Sequence, residues 1–434
     1  MNAAQQAEWQ QQVLAYSQAI NAYVDTGLRE GWDAAGKEPA VPELQHLLQP
    51  VVEHVRAAFA AGNDRDLKAE LPISHEAMIP LLEHVGCAVM QVLLLDDGSI
   101  LARIGDWYQD GGVMHVRGRE AHWLEDILFI GRSADRRHYA AASAAGIRVT
   151  EGWQGREVAR FDWPTGQEGL LGELGGSDVS WAQQPNQLIP FDEGQRLLLV
   201  SSHGIWVLAA SGATRLLPTD AEIEEDREDL DDDEAFDMRY DMPHGAVSPD
   251  NRWIAVGNQG SAHLVFDRDL NLVASIGPHS EYPHFACFSE DGRHVAFNAC
   301  HFYNGTTIGV AVADLPGMDT DYYADDPRQT VLQEGSRVYA TACRPGELII
   351  GDANGYLRAM GWDGQPHWFH HLGSTISGMD ISADGRTLVV GSHAGYLSII
   401  QLDAEAARPY QIGNARHWEE KRWFFWQNTA PFCW

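Results

Sequence analysis

Short apolar runs of four to six residues, separated by turn residues, recur through the second half of the chain. Gly245-Ala-Val-Ser-Pro-Asp-Asn-Arg-Trp-Ile-Ala-Val-Gly257 leads into Gln259-Gly-Ser-Ala-His-Leu-Val-Phe-Asp267. The same order returns from Cys287 to Asp314, from Cys343 to Met360, and from Met379 onward. Each unit reads as an apolar strand, a Ser-x-Asp-Gly-Arg type turn, a second apolar strand ending near Gly, and a third strand. Asp-Gly supplies the positive-φ positions of a tight hairpin, and runs rich in Val, Ile, Leu and aromatics fit buried strands. Degenerate copies begin at Val89, Leu128 and Leu188, making seven units.

The turns at Asp250, Asp291 and Asp384 are spaced by 41 and 93 residues, with the Pro345-Gly346 turn between the last two, and a period near forty with three or four strands is a propeller blade. The expected fold is therefore all-β, a seven-bladed β-propeller with an N-terminal helical segment. The Ser248-Pro-Asp-Asn-Arg252 and Ser382-Ala-Asp-Gly-Arg386 turns resemble those of WD-repeat and YVTN-type propellers. The Trp-Asp dipeptide of the WD family is not repeated; Trp362-Asp363 alone comes close.

Before the first unit the pattern changes from period two to a helical stripe. Trp9, Val13, Tyr16, Ile20 and Tyr23 predict a helix within 7–24, and Leu44, Leu47, Leu48, Val51, Val52, Val55 and Phe59 predict a second over 42–61. Pro42 stands just inside its expected start and Gly62 just past its end. A third is expected over 74–85. The division expected is a helical segment or cap (1–86), a propeller (87–415) with an acidic insertion (218–243), and an aromatic tail (416–434) packing on the propeller. That tail holds four tryptophans and three phenylalanines in nineteen residues, which calls for burial, closing the ring or clamping the helices.

Charge adds the next constraint. The 434 residues carry 62 acids and 30 bases, a formal net charge of −32. Such a field repels nucleic acid and anionic membranes and attracts a basic partner. Apolar runs fall short of a membrane span, and Met1–Trp32 lacks the basic and apolar regions of a signal peptide, so a cytoplasmic location is expected. Five scattered cysteines without a CxxC pair match a reducing compartment.

The acids concentrate in Asp220–Asp241, with thirteen acids and two arginines. This run joins one blade to the next, on the propeller face that also carries the hairpins between second and third strands. A second insertion, Asn298–Gly305, is expected in one of those hairpins. The candidate partner-binding residues are Asp226, Glu228, Asp229, Asp231, Asp232, Asp233, Glu234, Phe236, Asp237 and Tyr240 from the first, and His301, Phe302 and Tyr303 from the second. A solvated charge run is the plainer reading, against which Phe236, Met238, Tyr240 and Met242 offer something to bury. His279, His284, His294 and His301, with Glu281, form a loose group for which the sequence gives no convergence. His244 and His284 each follow a proline and suit strand entry. There is no nucleophile elbow, phosphate loop or EF-hand loop, so neither cofactor nor metal is called for and no catalytic residue is named.

The acidic charge, the propeller and the Arg422-Trp-Phe-Phe-Trp426 tail resemble bacterial immunity proteins encoded beside secreted toxins of the type VI kind, several of them nucleases. That resemblance implies a protein that covers a toxin's basic active site, with carboxylates standing where DNA phosphates would lie. Two other readings stand beside it: a propeller enzyme of the lactonase or metal-dependent hydrolase type, and a scaffold of a multiprotein assembly.

Overall fold

The computed structural model of the chain describes residues 1–63, 67–105, 111–164, 185–228 and 240–434, and within them the Ser-x-Asp runs close on themselves in one way. Ser248 Oγ donates to Asp250 Oδ1 (2.6 Å), Asp250 Oδ1 accepts from the Arg252 amide (3.1 Å), and Ser248 Oγ accepts from the Trp253 amide (3.0 Å). The same three bonds recur at Ser133-Asp135, Ser289-Asp291 and Ser382-Asp384. Each turn holds one residue at positive φ: Arg136 at 64°, Asn251 at 58°, Gly292 at 68° and Gly385 at 69°. Glycine and asparagine suit that region; an arginine there is unusual and has a use described below.

Each of these four turns joins the first strand of a sheet to its second, and the described residues form seven sheets: blade 1 (89–123), blade 2 (129–161), blade 3 (185–217), blade 4 (244–276), blade 5 (282–334), blade 6 (338–371) and blade 7 (376–433). The seven repeat units of the sequence fall one to a blade, each on an inner strand and the turn after it, so the chain is a seven-bladed β-propeller. Antiparallel order puts the Ser-x-Asp turns on one face of the ring. The hairpins between second and third strands, and the connections to the next blade, lie on the other, called here the connection face.

Three blades gain edge strands from distant excursions. Met318–Thr320, between the third and fourth strands of blade 5, runs parallel to Leu272–Ile276 of blade 4. Ile412–Gly413 adds to blade 6. The aromatic tail is built into blade 7, where Trp418–Phe424 is the fourth strand and Phe432–Cys433 the fifth.

The helices cover the outside of that last blade. They are α1 (Ala3–Glu30), α2 (Gln45–Ala61) and α3 (His75–Val85). Asn2 and Gln5 make a capping box that starts α1 earlier than its apolar stripe suggests. α2 begins at Gln45, so Pro42 lies before the helix rather than inside its first turn, and Gly62 ends it in the left-handed region. Trp9, Leu47, Val51, Val55, Met78 and Leu82 pack with Tyr396, Phe424, Trp426, Phe432 and Trp434 in one cluster. Phe424 and Phe432 stack with centroids 4.9 Å apart, and the Trp434 and Trp9 indoles donate to the carbonyls of Leu71 and Pro72 (2.8 Å each). Deeper in, Glu419 accepts from Arg422 (2.6 Å) and lies 3.4 Å from Lys68 Nζ. Burial alone would raise the Glu419 carboxyl, but these two cations hold it down at about 2.

Blade 7 and blade 1 share no strand, so the ring closes by contact. Val89–Leu94 of blade 1 lies against Ile376–Ile381 of blade 7. Gly391 meets Val89 so closely that a Cβ would sit 2.4 Å from its carbonyl oxygen. At the connection face, the Cys87 amide donates to Phe425 (2.9 Å) and the Gln427 amide to Val85 (2.7 Å). Across the seam, Asp380 of blade 7 accepts from the Leu94 amide of blade 1 (2.6 Å) and from Arg132 of blade 2 (2.7 Å). Arg136, the residue at unusual φ, adds bonds to the carbonyls of Ile381 (2.5 Å) and Leu94 (3.1 Å).

Two outcomes are expected. Asp380→Ala strands the buried Arg132 guanidinium and should cost about 3–5 kcal/mol in a denaturant titration, whereas a loss under about 1 kcal/mol would remove Asp380 from its closing role. Stability should also fall with acid. His75 is pushed down to about 3 and His371 and His417 to about 4, burial being the main cause in each. A histidine depressed below its unfolded value of about 6.5 contributes fully above that pH and loses its contribution as pH drops toward the folded value. Glu419 acts in the same direction below about 4.5. Thermal unfolding should give a Tm that is level from pH 7 to 8 and declines steadily from pH 6.5 to 4; a level Tm across the lower range would contradict it.

Candidate functional site

The connection face between blades 3 and 5 carries the features singled out in the sequence. The connection out of blade 3 begins at Thr219-Asp-Ala-Glu222, a Thr-x-x-Glu run that caps a helix in both directions. Thr219 Oγ1 accepts from the Glu222 amide (3.2 Å), and Glu222 Oε2 accepts from the Thr219 amide (2.5 Å). The result is α4 (Asp220–Glu228), an acidic helix held to the protein by buried Ile223. Arg215 pairs with Asp220 at its start.

Asp226 and Glu228 lie on α4, and the Glu228 side chain is exposed. Asp229, Asp231, Asp232, Asp233, Glu234, Phe236 and Asp237 lie outside the described residues. The chain is described again at Tyr240, whose amide donates to the Ser202 carbonyl in the blade 3 hairpin (2.7 Å) and whose ring is half-buried against the blade 3–4 core. Asp241 then accepts from the Gln259 amide in the blade 4 hairpin (2.9 Å). Both ends of the acidic connection are therefore tied to the connection face.

His301, Phe302 and Tyr303 stand on that face at blade 5. Asn298–Gly305 is not a loop insertion: strands His294–His301 and Asn304–Ala311 are each eight residues long, joined by a two-residue turn. Full cross-strand pairing lengthens the hairpin, and Phe302 and Tyr303 at its tip are 73% and 61% exposed. His301 pairs with Glu281 and stacks on Tyr282 with centroids 5.9 Å apart.

The structure adds residues that sequence reasoning missed. Tyr322 and Tyr323, 50% and 60% exposed, follow the excursion strand onto this face, where the Tyr323 amide donates to Pro278 (3.1 Å), close in chain to Glu281. Their signal was the length of the connection between the third and fourth strands of blade 5, which most blades span with a short turn. On blade 6, the Arg337 guanidinium lies 5.0 Å over the Tyr339 ring. Burial raises the Tyr339 phenol above its usual range, Arg337 opposing it and Cys300 and Tyr303 adding to it.

The histidines do not converge. His279 bonds Gln329, His294 stacks on Trp362 (5.0 Å), and His284 packs edge-on against Tyr339 (4.7 Å). His244 and His263 lie with centroids 5.7 Å apart; burial pushes His244 down to about 4 and His263 and His284 well below 6.5, so all three are neutral at pH 7. Among the described residues, no three His, Cys, Asp or Glu side chains are grouped to hold a metal ion. No described helix is long and apolar enough to cross a membrane. The described part of this face presents the exposed rings of Phe302, Tyr303, Tyr322 and Tyr323 and, on α4, the exposed Glu228 side chain.

No family model and no curated protein matches the chain. Among solved structures it is similar to the Cps50 (Swd1) β-propeller domain of Myceliophteria thermophila, at 12% identity and TM-score 0.45 over 70% of this chain and 92% of that one. It is similar also to KlHsv2 with loop 6CD replaced by a Gly-Ser linker (8% identity, TM-score 0.43, 77% of this chain and 98% of that one). A third is the hydrazine synthase of Kuenenia stuttgartiensis (13% identity, TM-score 0.42, 64% and 78%). None of these likenesses carries a functional inference.

If Phe302 and Tyr303 are held out for contact rather than for folding, Phe302→Ala and Tyr303→Ala should each leave unfolding free energy within about 0.5 kcal/mol of the parent. A loss above about 2 kcal/mol in a denaturant titration would make them structural.

Proposed function

We propose that this propeller is a protein-binding module whose connection face, from blade 3 to blade 5, holds a basic protein. One observation carries the reading: the described ends of the acidic connection and the exposed aromatic hairpin, distant in sequence, share one face. Carboxylates there attract and orient a basic surface, raising association rate and specificity. Affinity needs apolar anchors that bury on contact, and Phe302 and Tyr303 are placed to serve, with Tyr322 and Tyr323 at the same rim.

In its specific form, the partner is a secreted nuclease toxin encoded beside this protein, and the propeller is its cytoplasmic neutraliser. A nuclease active site is built to hold phosphates, so the carboxylates of 220–241 suit it as substitutes. The net charge of −32 and the concentration of acids in one connection support this reading, and inhibition by occlusion asks for no catalytic residue.

The test is biolayer interferometry with the purified basic product of the adjacent gene, at low and moderate salt. Replacing Asp229, Asp231, Asp232 and Asp233 by Asn should slow association at least about tenfold and flatten its salt dependence. Phe302→Ala with Tyr303→Ala should instead speed dissociation. Unchanged kinetics in the Asn variant would end the phosphate-substitute idea, and unchanged kinetics in both would move the contact off this face.

A further inference from the structure

Two cysteines far apart in sequence face each other across the blade 5–blade 6 interface. Cys287 lies on the inner strand Tyr282–Phe288 and Cys343 on the inner strand Val338–Arg344. Both belong to one apolar cluster with Leu332, Val338, Leu348 and Met360. The Cys343 Sγ lies 3.5 Å from the carbonyl oxygen of Phe288, the residue next to Cys287. Cys343 packs against the cluster that buries Cys287, which brings each thiol within reach of the other's electrostatic influence. Proximity divides their acidity: Cys343 draws the Cys287 thiol below its ordinary range, while Cys287 and burial push Cys343 well above its own. Cys287 is buried and Cys343 half-buried, so a small oxidant suits the site better than a bulky disulfide. The other three cysteines lie elsewhere, Cys300 near Arg337 and Cys87 and Cys433 at the closure seam.

We propose that Cys287 and Cys343 are a peroxide-oxidisable pair that closes reversibly to a disulfide, stapling blade 5 to blade 6. In the first step the Cys287 thiolate attacks one oxygen of hydrogen peroxide. The O–O bond breaks, hydroxide leaves and takes up a proton as water, and Cys287 becomes a sulfenic acid. In the second, Cys343 gives up its proton and its sulfur attacks the Cys287 sulfur, displacing the hydroxyl as a second water. Two thiols are oxidised by two electrons and one peroxide is reduced to two waters. A dithiol reverses the reaction by exchange. Closing the bond draws the sulfurs to about 2 Å. The staple would fix the blade 5–blade 6 spacing, because it joins the inner strand of one to the inner strand of the other.

The test uses the full chain treated with a few equivalents of hydrogen peroxide, alkylated, digested and mapped by mass spectrometry. The expected result is a Cys287–Cys343 linked peptide pair, lighter than the two reduced peptides by two hydrogens, that disappears with dithiothreitol. Tm should rise by a few degrees in the oxidised protein. In Cys343→Ser, checked for folding by circular dichroism, the link should be absent and Cys287 should instead take a dimedone adduct. If the wild-type protein reacts with peroxide and both thiols still alkylate, or if the linked pair joins other cysteines, the proposal is wrong. It is equally overturned by oxidation of Cys343 alone.

Discussion

A ring of sheets has no free apolar face only if the last sheet meets the first, and every other feature of this molecule depends on that contact. Each blade buries one face against its predecessor and one against its successor, so an open ring would expose two. Many rings could close by sharing a strand across the seam; here blade 1 is wholly N-terminal and blade 7 wholly C-terminal. Closure therefore falls to side chains and a few backbone bonds. A shared apolar cluster of Val89, Val92 and Leu94 with Val389, Leu397 and Trp423 joins the two blades, and Asp380 adds polar bonds to the Leu94 amide of blade 1 and to Arg132 of blade 2. Arg136 explains its own unusual φ at this point: where blades 4, 5 and 7 place Asn251, Gly292 and Gly385, blade 2 places a side chain long enough to reach across the seam.

The helices and tail support the same closure from outside. Blade 7 ends the chain and would otherwise present Phe424, Trp426, Phe432 and Trp434 to water. α1, α2 and α3 cover them, and the segment after α3 pairs with the segment after Trp418–Phe424 just where the ring joins. The buried cations in this region, Lys68 and Arg422, share the Glu419 carboxylate instead of contacting solvent. Such a cluster adds little net stability over an apolar one, yet it penalises any misplacement of the helices.

With the ring closed by one region, the opposite arc is free to vary. Blades 3 to 5 carry the acidic connection, the lengthened hairpin and the excursion that ends in Tyr322 and Tyr323. The excursion buries Leu315 and Met318 in the core of blades 4 and 5, and the described ends of the acidic connection and the hairpin tip lie on the connection face. Charge and exposed rings have gathered where the fold places the least demand on them.

By itself the sequence determined the elements and their repetition. Ser-x-Asp turns are set by bonds within five residues, apolar strands by their own composition, and helices by stripe and cap, so all seven inner strands and the three main helices could be read locally. Glu228, Phe302 and Tyr303 could be marked as exposed candidates because charge and turn position act at short range. The tertiary structure alone decided what depends on partners distant in the chain. Tyr322 and Tyr323 reach the site because Met318–Thr320 pairs with a strand of another blade, a choice invisible to local pattern. Asn298–Gly305 reads as an insertion until its register shows continuous pairing. The meeting of Asp380 with Arg132, and of Cys287 with Cys343, follows from ring closure and blade packing, which bring residues together by geometry that no stretch of sequence encodes alone.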